Sequence, residues 1–319
     1  MPHVIFVFAI DVLVFWVRDH GLRAVATLRQ LRKGGVRCPW ERREVSGVGH
    51  LAMLDLVDLL LLRRGIPPDD GTVAFRRIDG NPTSKVLYFL PWNTPFAIAR
   101  HAGFTPLDFL ACYEMPPAIV GADPRLCVQA MRALVADAEQ LIAKKALTGD
   151  EILIVGLSAG TYPATYLANR MHARLCSVAS ADRADLAIWQ SPATRLVRHR
   201  AARKGFGLAD YSDALFGTHP AQNLGGIAPD SLFVIGRHDP FVPAPRLAGL
   251  LTAVERNVRR GQVIQLSAGH FKTLVMSGAY QRALFGLQWA RKTWLVRWPI
   301  NASTNRSTFS SPTSRSTAS

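Results

Sequence analysis

Long apolar runs are missing from this chain of 319 residues. The most apolar stretch, residues 4–17 (VIFVFAIDVLVFWV), is interrupted by Asp11 and falls short of the roughly 20 apolar residues a membrane-crossing helix needs. It has no basic leader and no small-residue cleavage pattern, so it does not read as a secretory signal. A buried helix or strand is the favoured reading, and a helix lying on a membrane surface is the alternative. Cysteine is scarce as well. The four residues, Cys38, Cys112, Cys127 and Cys176, show no C-x-x-C spacing, which excludes a disulfide framework and gives no metal-ligand pattern. A reducing, cytoplasmic setting is expected, with peripheral membrane attachment as the second choice. Acidic residues are few: 23 Asp and Glu face 38 Lys and Arg, a net charge of +15. The cations are scattered and no nucleic-acid motif accompanies them, so they read as a solvated basic surface with no nucleic-acid partner.

What is present is a folded composition, 49% hydrophobic and 19% charged. Residues 1–70 divide into apolar and basic segments and read as an N-terminal helical or apolar extension of unassigned role. From residue 71 the rhythm becomes regular. Strands are expected at residues 72–78, 86–90, 107–112, 152–155, 186–189, 232–235 and 263–266. Helices are expected at residues 96–102, 123–145, after the turn at 156–160, at about 245–259, and at 277–298. The helix over 123–145 carries an apolar stripe of Leu126, Met131, Leu134, Val135, Ala138, Leu141 and Ile142. Such alternation implies an α/β architecture, a mostly parallel sheet with helices on both faces. The interval at 193–230 is too long for an ordinary connection and reads as a small helical lid rich in cations. Residues 299–319 are Ser/Thr-rich and nearly free of apolar side chains, the composition of a disordered tail. Its Asn301 and Asn305 match the glycosylation pattern, but a solvated tail is the favoured reading.

The chain is organised around residues 151–170, EILIVGLSAGTYPATYLANR. An apolar run enters a Gly156-Leu-Ser158-Ala-Gly160 turn, and an alanine-rich helical stretch leaves it. Strand, sharp turn and helix is the context of a nucleophilic serine. Glycines at both ends let strand and helix pass closely. A serine hydroxyl needs a base within hydrogen-bond reach, and the base needs a third group to hold its tautomer. Two later strand ends supply them: Gly236-Arg-His-Asp239-Pro-Phe-Val-Pro243, and Ser267-Ala-Gly-His270.

These motifs, from residue 72 to residue 298, resemble the α/β-hydrolase superfamily. The resemblance implies the α/β-hydrolase fold, Ser158 as nucleophile, His270 as general base and then acid, and Asp239 as the group orienting the imidazole. It implies hydrolysis of a carboxylic ester or thioester through an acyl-enzyme, with no cofactor and no metal. A peptidase or acyltransferase would use the same residues, and a non-catalytic binding protein on the same fold is the rival reading. One departure stands out. Families of this kind carry a His-Gly pair after the strand that precedes the first helix, whereas this chain has Leu90-Pro91-Trp92-Asn93. Pro91 has no amide hydrogen. The oxyanion donors expected are therefore the amides of Ala159 and of Trp92, or else of Asn93. For substrate binding the candidates are Asn93 and the lid cations Arg198 and Arg200, which would suit an anionic acyl substrate. Partners other than a small-molecule acyl substrate are not indicated, and the oligomeric state is left open.

Overall fold

The computed structural model describes residues 72–258 and 262–286. The extension at 1–70, the apolar stretch at 4–17, Cys38 and the tail lie outside the described residues. Seven strands form one sheet: β1 (Arg76–Asp79), β2 (Val86–Phe89), β3 (Ala111–Glu114), β4 (Leu153–Leu157), β5 (Arg174–Val178), β6 (Leu232–Gly236) and β7 (Gln262–Leu266). Their spatial order is β1-β3-β2-β4-β5-β6-β7. The first strand runs antiparallel to β3 at the edge, and the other neighbours pair in parallel.

The central strands are apolar throughout because both faces are covered. Leu87 and Phe89 point into one core and Val86, Tyr88 and Leu90 into the other, the alternation a pleated strand imposes. Helices α1 (Phe96–His101), α2 (Pro124–Lys144), α3 (Thr161–Met171), α4 (Ala184–Gln190), α5 (Arg195–Arg203), α6 (Leu208–Leu215), α7 (Ala244–Asn257) and α8 (His270–Gln281) are the α-helices among the described residues. The expected stripe of α2 is buried on the first face, where Met131, Leu134 and Ile142 pack with Leu167 of α3 and Leu250 of α7. Ala99 of α1 and Leu274 of α8 cover the other face. Asp123 caps α2, its Oδ1 accepting from the Arg125 amide at 3.0 Å, and Pro124 takes the first helical position, where its missing amide costs nothing.

The strand register sets where the chain's loops can converge. Phe89 pairs with Gly156, Leu157 with Val178, Val178 with Val234 and Gly236 with Leu266. The carbonyl ends of five strands thus share one rim, where ligands of such sheets bind.

Five expectations need correcting. The strand expected at 186–189 is α4. Its buried residues Ala184, Ala187 and Ile188 recur at helical spacing, and Asp185 sits in its first turn. The true fifth strand is Arg174–Val178, and the insertion before β6 therefore begins earlier than residue 193. The strand expected at 107–112 lies further on, at Ala111–Glu114, and the one expected at 72–78 is confined to Arg76–Asp79. The helix expected at 277–298 starts at His270; after Gln281 it loosens into a π turn, Arg282–Gly286, and residues 287–298 lie outside the described residues.

Candidate active site

Ser158 follows β4 directly and opens a 3₁₀ turn, Ser158–Gly160, that feeds α3. Its φ is +53°, a left-handed conformation that a non-glycine residue rarely adopts. Such strain persists where the surroundings over-determine it. Here they do. A Cβ on Gly156 would stand 2.7 Å from the Thr161 Cα and the Ala164 Cβ, and one on Gly160 would stand 2.3 Å from the Phe89 carbonyl oxygen. The turn is wedged between its own helix and the end of β2, with no room for a methyl group at either glycine.

The three side chains that the sequence spread across the chain meet at this rim. The Ser158 Oγ lies 2.8 Å from the His270 Nε2, and the His270 Nδ1 lies 2.6 Å from the Asp239 Oδ2. Asp239 is held in turn: its Oδ1 accepts from the amides of Phe241 at 2.8 Å and Val242 at 3.1 Å. An acid whose second oxygen is tied to two backbone amides cannot swing away from the imidazole. The Asp239 contact requires the proton on Nδ1, which leaves Nε2 as the acceptor for the serine hydroxyl. Phe241 packs its ring 4.8 Å from the imidazole, and the histidine is 5% exposed, so bulk water is largely kept from the base.

Over Ser158 opens a small cleft of about 100 Å³. Its walls are methyl-rich, with Ala159, Ala179, Ala181, Ala187 and Ala193 joined by Ile188. No Lys, Arg, Asp or Glu stands among the described residues that line it. Burial pushes the Tyr162 phenol well above its ordinary value, so that lining group is uncharged too.

The remaining candidates divide. Ala159 and Trp92 both line the cleft. Ala159 directly follows Ser158 at the start of a helical segment, where first-turn amides have no intrahelical acceptor. The loop bearing Trp92 is anchored at three points. The Trp92 indole Nε1 donates to the Pro117 carbonyl at 3.2 Å, the Thr94 amide closes the turn onto the Pro91 carbonyl at 3.3 Å, and the Phe96 amide donates to the Glu114 Oε1 at 2.7 Å. Asn93 is outside the cleft lining. It is exposed, with φ at +53°, and serves the turn, a conformation asparagine tolerates better than most residues. Arg198 and Arg200 are outside the lining as well. The Arg198 guanidinium turns inward and donates to the Ser191 carbonyl at 2.6 Å, and burial holds its pKa below the usual arginine value. Sequence reasoning missed Phe241 and the alanine walls. Phe241 lay inside the motif around Asp239, but scattered alanines carry no signal of a common cavity. Among the described residues no cluster of His, Cys, Asp and Glu could hold a metal, and no helix is long and apolar enough to cross a membrane.

A second polar cluster ties down the insertion between β5 and β6. Asp185, fully buried, receives Arg183 at 2.5 Å and the Ser212 hydroxyl at 2.6 Å, and the buried His219 approaches it at 3.5 Å. Burial pushes the Asp185 carboxyl up, but the Arg183 and Ser212 hydrogen bonds outweigh it and hold the pKa below its ordinary value. His219 is pushed down by its own burial, against the opposing pull of Asp185. The Tyr211 hydroxyl of α6 donates to the Gly121 carbonyl at 2.7 Å, fastening this insertion to the turn before α2.

No protein-family model matches the chain, and no curated protein matches it. Solved structures do. The chain is similar to oligopeptidase B from Leishmania major, at 17% identity and a TM-score of 0.46, over 66% of this chain and 33% of that one. It spans about a third of that relative's length. It is also similar to TT1662 from Thermus thermophilus, at 17% identity and a TM-score of 0.48, over 68% and 93% of the two chains. An esterase/lipase from an uncultured bacterium matches at 15% identity and a TM-score of 0.45, over 84% and 98%.

Proposed function

We propose that this chain, whose strand order and serine turn are those of the α/β-hydrolase fold, is a serine hydrolase that cleaves an uncharged carboxylic ester or thioester. The observation carrying the proposal is the unbroken run from the Ser158 Oγ through both ring nitrogens of His270 to Asp239, at 2.8 and 2.6 Å. A hydroxyl near neutral pH is a weak nucleophile, and this arrangement supplies its base in place.

In the proposed reaction His270 Nε2 takes the Ser158 proton as Oγ bonds to the substrate carbonyl carbon. The carbonyl oxygen becomes an oxyanion and is met by the amides of Ala159 and Trp92. The imidazolium is stabilised by the Asp239 carboxylate. Collapse breaks the bond to the leaving alcohol or thiol, and His270 returns its proton to that group. Water, deprotonated by His270, then attacks the acyl-enzyme, and the carboxylic acid leaves as Ser158 recovers its proton.

The uncharged, alanine-walled cleft supports a neutral acyl group over the anionic one that the lid cations suggested from sequence. With Arg198 engaged by backbone carbonyls, it is not a ready partner for a carboxylate. The test is labelling with a fluorophosphonate, followed by a panel of p-nitrophenyl esters graded in acyl length and charge. Labelling that disappears in Ser158→Ala is expected, with turnover falling by roughly 10⁵-fold or more. Absence of labelling in the wild-type chain would favour a non-catalytic binder, and faster turnover of anionic than of neutral esters would remove the assignment of substrate charge.

A further inference from the structure

We infer that Thr161 and Ser180 form a hydroxyl chain that orients and polarises the Ala159 amide, making Thr161 a positioning residue for oxyanion stabilisation; the inference rests on the reading of Ser158 as the nucleophile. The peptide joining Ser158 to Ala159 is a single planar unit, with its carbonyl and its N–H directed oppositely. Whatever grips the Ser158 carbonyl therefore fixes where the Ala159 N–H points. The Thr161 Oγ1 lies 2.6 Å from that carbonyl oxygen, which also accepts from the Thr161 backbone N–H as the 3₁₀ turn closes. A carbonyl only accepts, so Thr161 spends its one proton there. The Ser180 Oγ lies 3.0 Å from the Thr161 Oγ1 and must be the donor in that contact. A second acceptor for Ser180, the Ala181 carbonyl, is more distant at 3.2 Å.

Thr161 is 0% exposed and Ser180 2% exposed, and neither lines the cleft. The chain therefore runs behind the nucleophile, out of reach of substrate, from the loop after β5 to the first residue of α3. A threonine in a first helical turn commonly bonds back to a nearby carbonyl. Ser180 has no such local reason, since it arrives from another strand end. In a low-dielectric interior, hydrogen bonds in series strengthen one another, so a proton donated to the Ser158 carbonyl makes the N–H of the same peptide a better donor. The restraint matters more because Ser158 sits at a φ of +53°. A peptide leaving a strained residue has other orientations to relax into, and the hydroxyl reinforces the Thr161 N–H in closing them off.

The experiment compares kcat, KM and inhibition by a short alkylboronic acid, which builds a tetrahedral adduct on a nucleophilic serine. Thr161→Val keeps the shape and removes the hydroxyl. It is expected to lower kcat for a neutral ester about tenfold, to leave KM within about twofold, and to weaken the boronic acid by the same factor as kcat. Thr161→Ser should restore both values. Ser180→Ala, which leaves the helix untouched, should shift them the same way by about threefold and so carries the test even where the valine variant folds poorly. A Thr161→Val protein with lowered melting temperature but unchanged kcat and boronic acid affinity would overturn the inference and leave the nucleophile assignment intact. Wild-type protein that neither reacts with a fluorophosphonate nor binds the boronic acid would overturn both.

Discussion

Two walls enclose the cleft, and they are held by different physics. On the sheet side, the serine turn is fixed by steric fit: Gly156 and Gly160 are pressed against α3 and the end of β2, at distances that leave no space for one carbon. On the insertion side, α4 and α6 also pack apolar residues, Ile188, Tyr211 and Leu215 among them, but charge ties them as well. Asp185, Arg183, Ser212 and His219 form a buried polar knot whose strength depends on protonation. The first kind of restraint is insensitive to pH and salt and intolerant of added volume. The second tolerates reshaping of its outer surface and responds to acid.

The largest effect that would test this contrast is at Gly160. Gly160→Ala places a methyl 2.3 Å from the Phe89 carbonyl, and main chain cannot yield as a flexible side chain does. We expect a loss of about 3 kcal/mol in stability by urea unfolding, together with loss of ester turnover as the turn is displaced. A variant as active and as stable as the wild type would mean that steric fit is not what holds the turn.

An intermediate effect belongs to His219. Its pKa is held below its ordinary 6.5 by burial, so the unfolded chain binds the proton more readily than the folded one. The stability from keeping His219 neutral is fully present above about pH 6.5 and is lost as pH falls below that value. Melting temperature should therefore drop between about pH 7 and about pH 5, and His219→Gln should flatten that portion of the curve. Equal slopes in both proteins would remove His219 from the account. The smallest effect is expected at Phe216, which is 75% exposed on the outer surface of the insertion. Phe216→Ser should alter stability by no more than about 0.5 kcal/mol and leave turnover unchanged; a larger shift in either would show that this surface is engaged in holding the cover.

Much of the frame was legible in the sequence because unbroken apolar runs and turn residues carry it. Residues 232–235 and 152–155 read as strands, within a residue or two of Leu232–Gly236 and Leu153–Leu157, and the turns after them hold Asp239 and Ser158. The strand Arg174–Val178 was not legible. It opens with an arginine, and Ser177, though buried, breaks the apolar signal. A short run such as Leu186 to Trp189 is apolar enough for either structure, and only its packing through Ala184, Ala187 and Ile188 decides for a helix. Charge misled at Arg198. Sequence shows that a cation is present but not that backbone carbonyls inside the fold already hold it. The hydroxyls of Thr161 and Ser180 gave no sign at all, since their effect depends on two residues that meet only when β4 and β5 lie side by side.

His270 is the first residue of α8, a helix of 12 residues. The amino end of a helix carries partial positive charge, and a cation placed there is disfavoured by roughly 0.3–1 kcal/mol. In the proposed cycle the imidazolium would form at that end, with the Asp239 carboxylate as its counterweight on the opposite side of the ring. The amino end of α8 and the Asp239 carboxylate thus pull on the ring in opposite senses, one from the chain that follows the histidine and the other from the loop after β6.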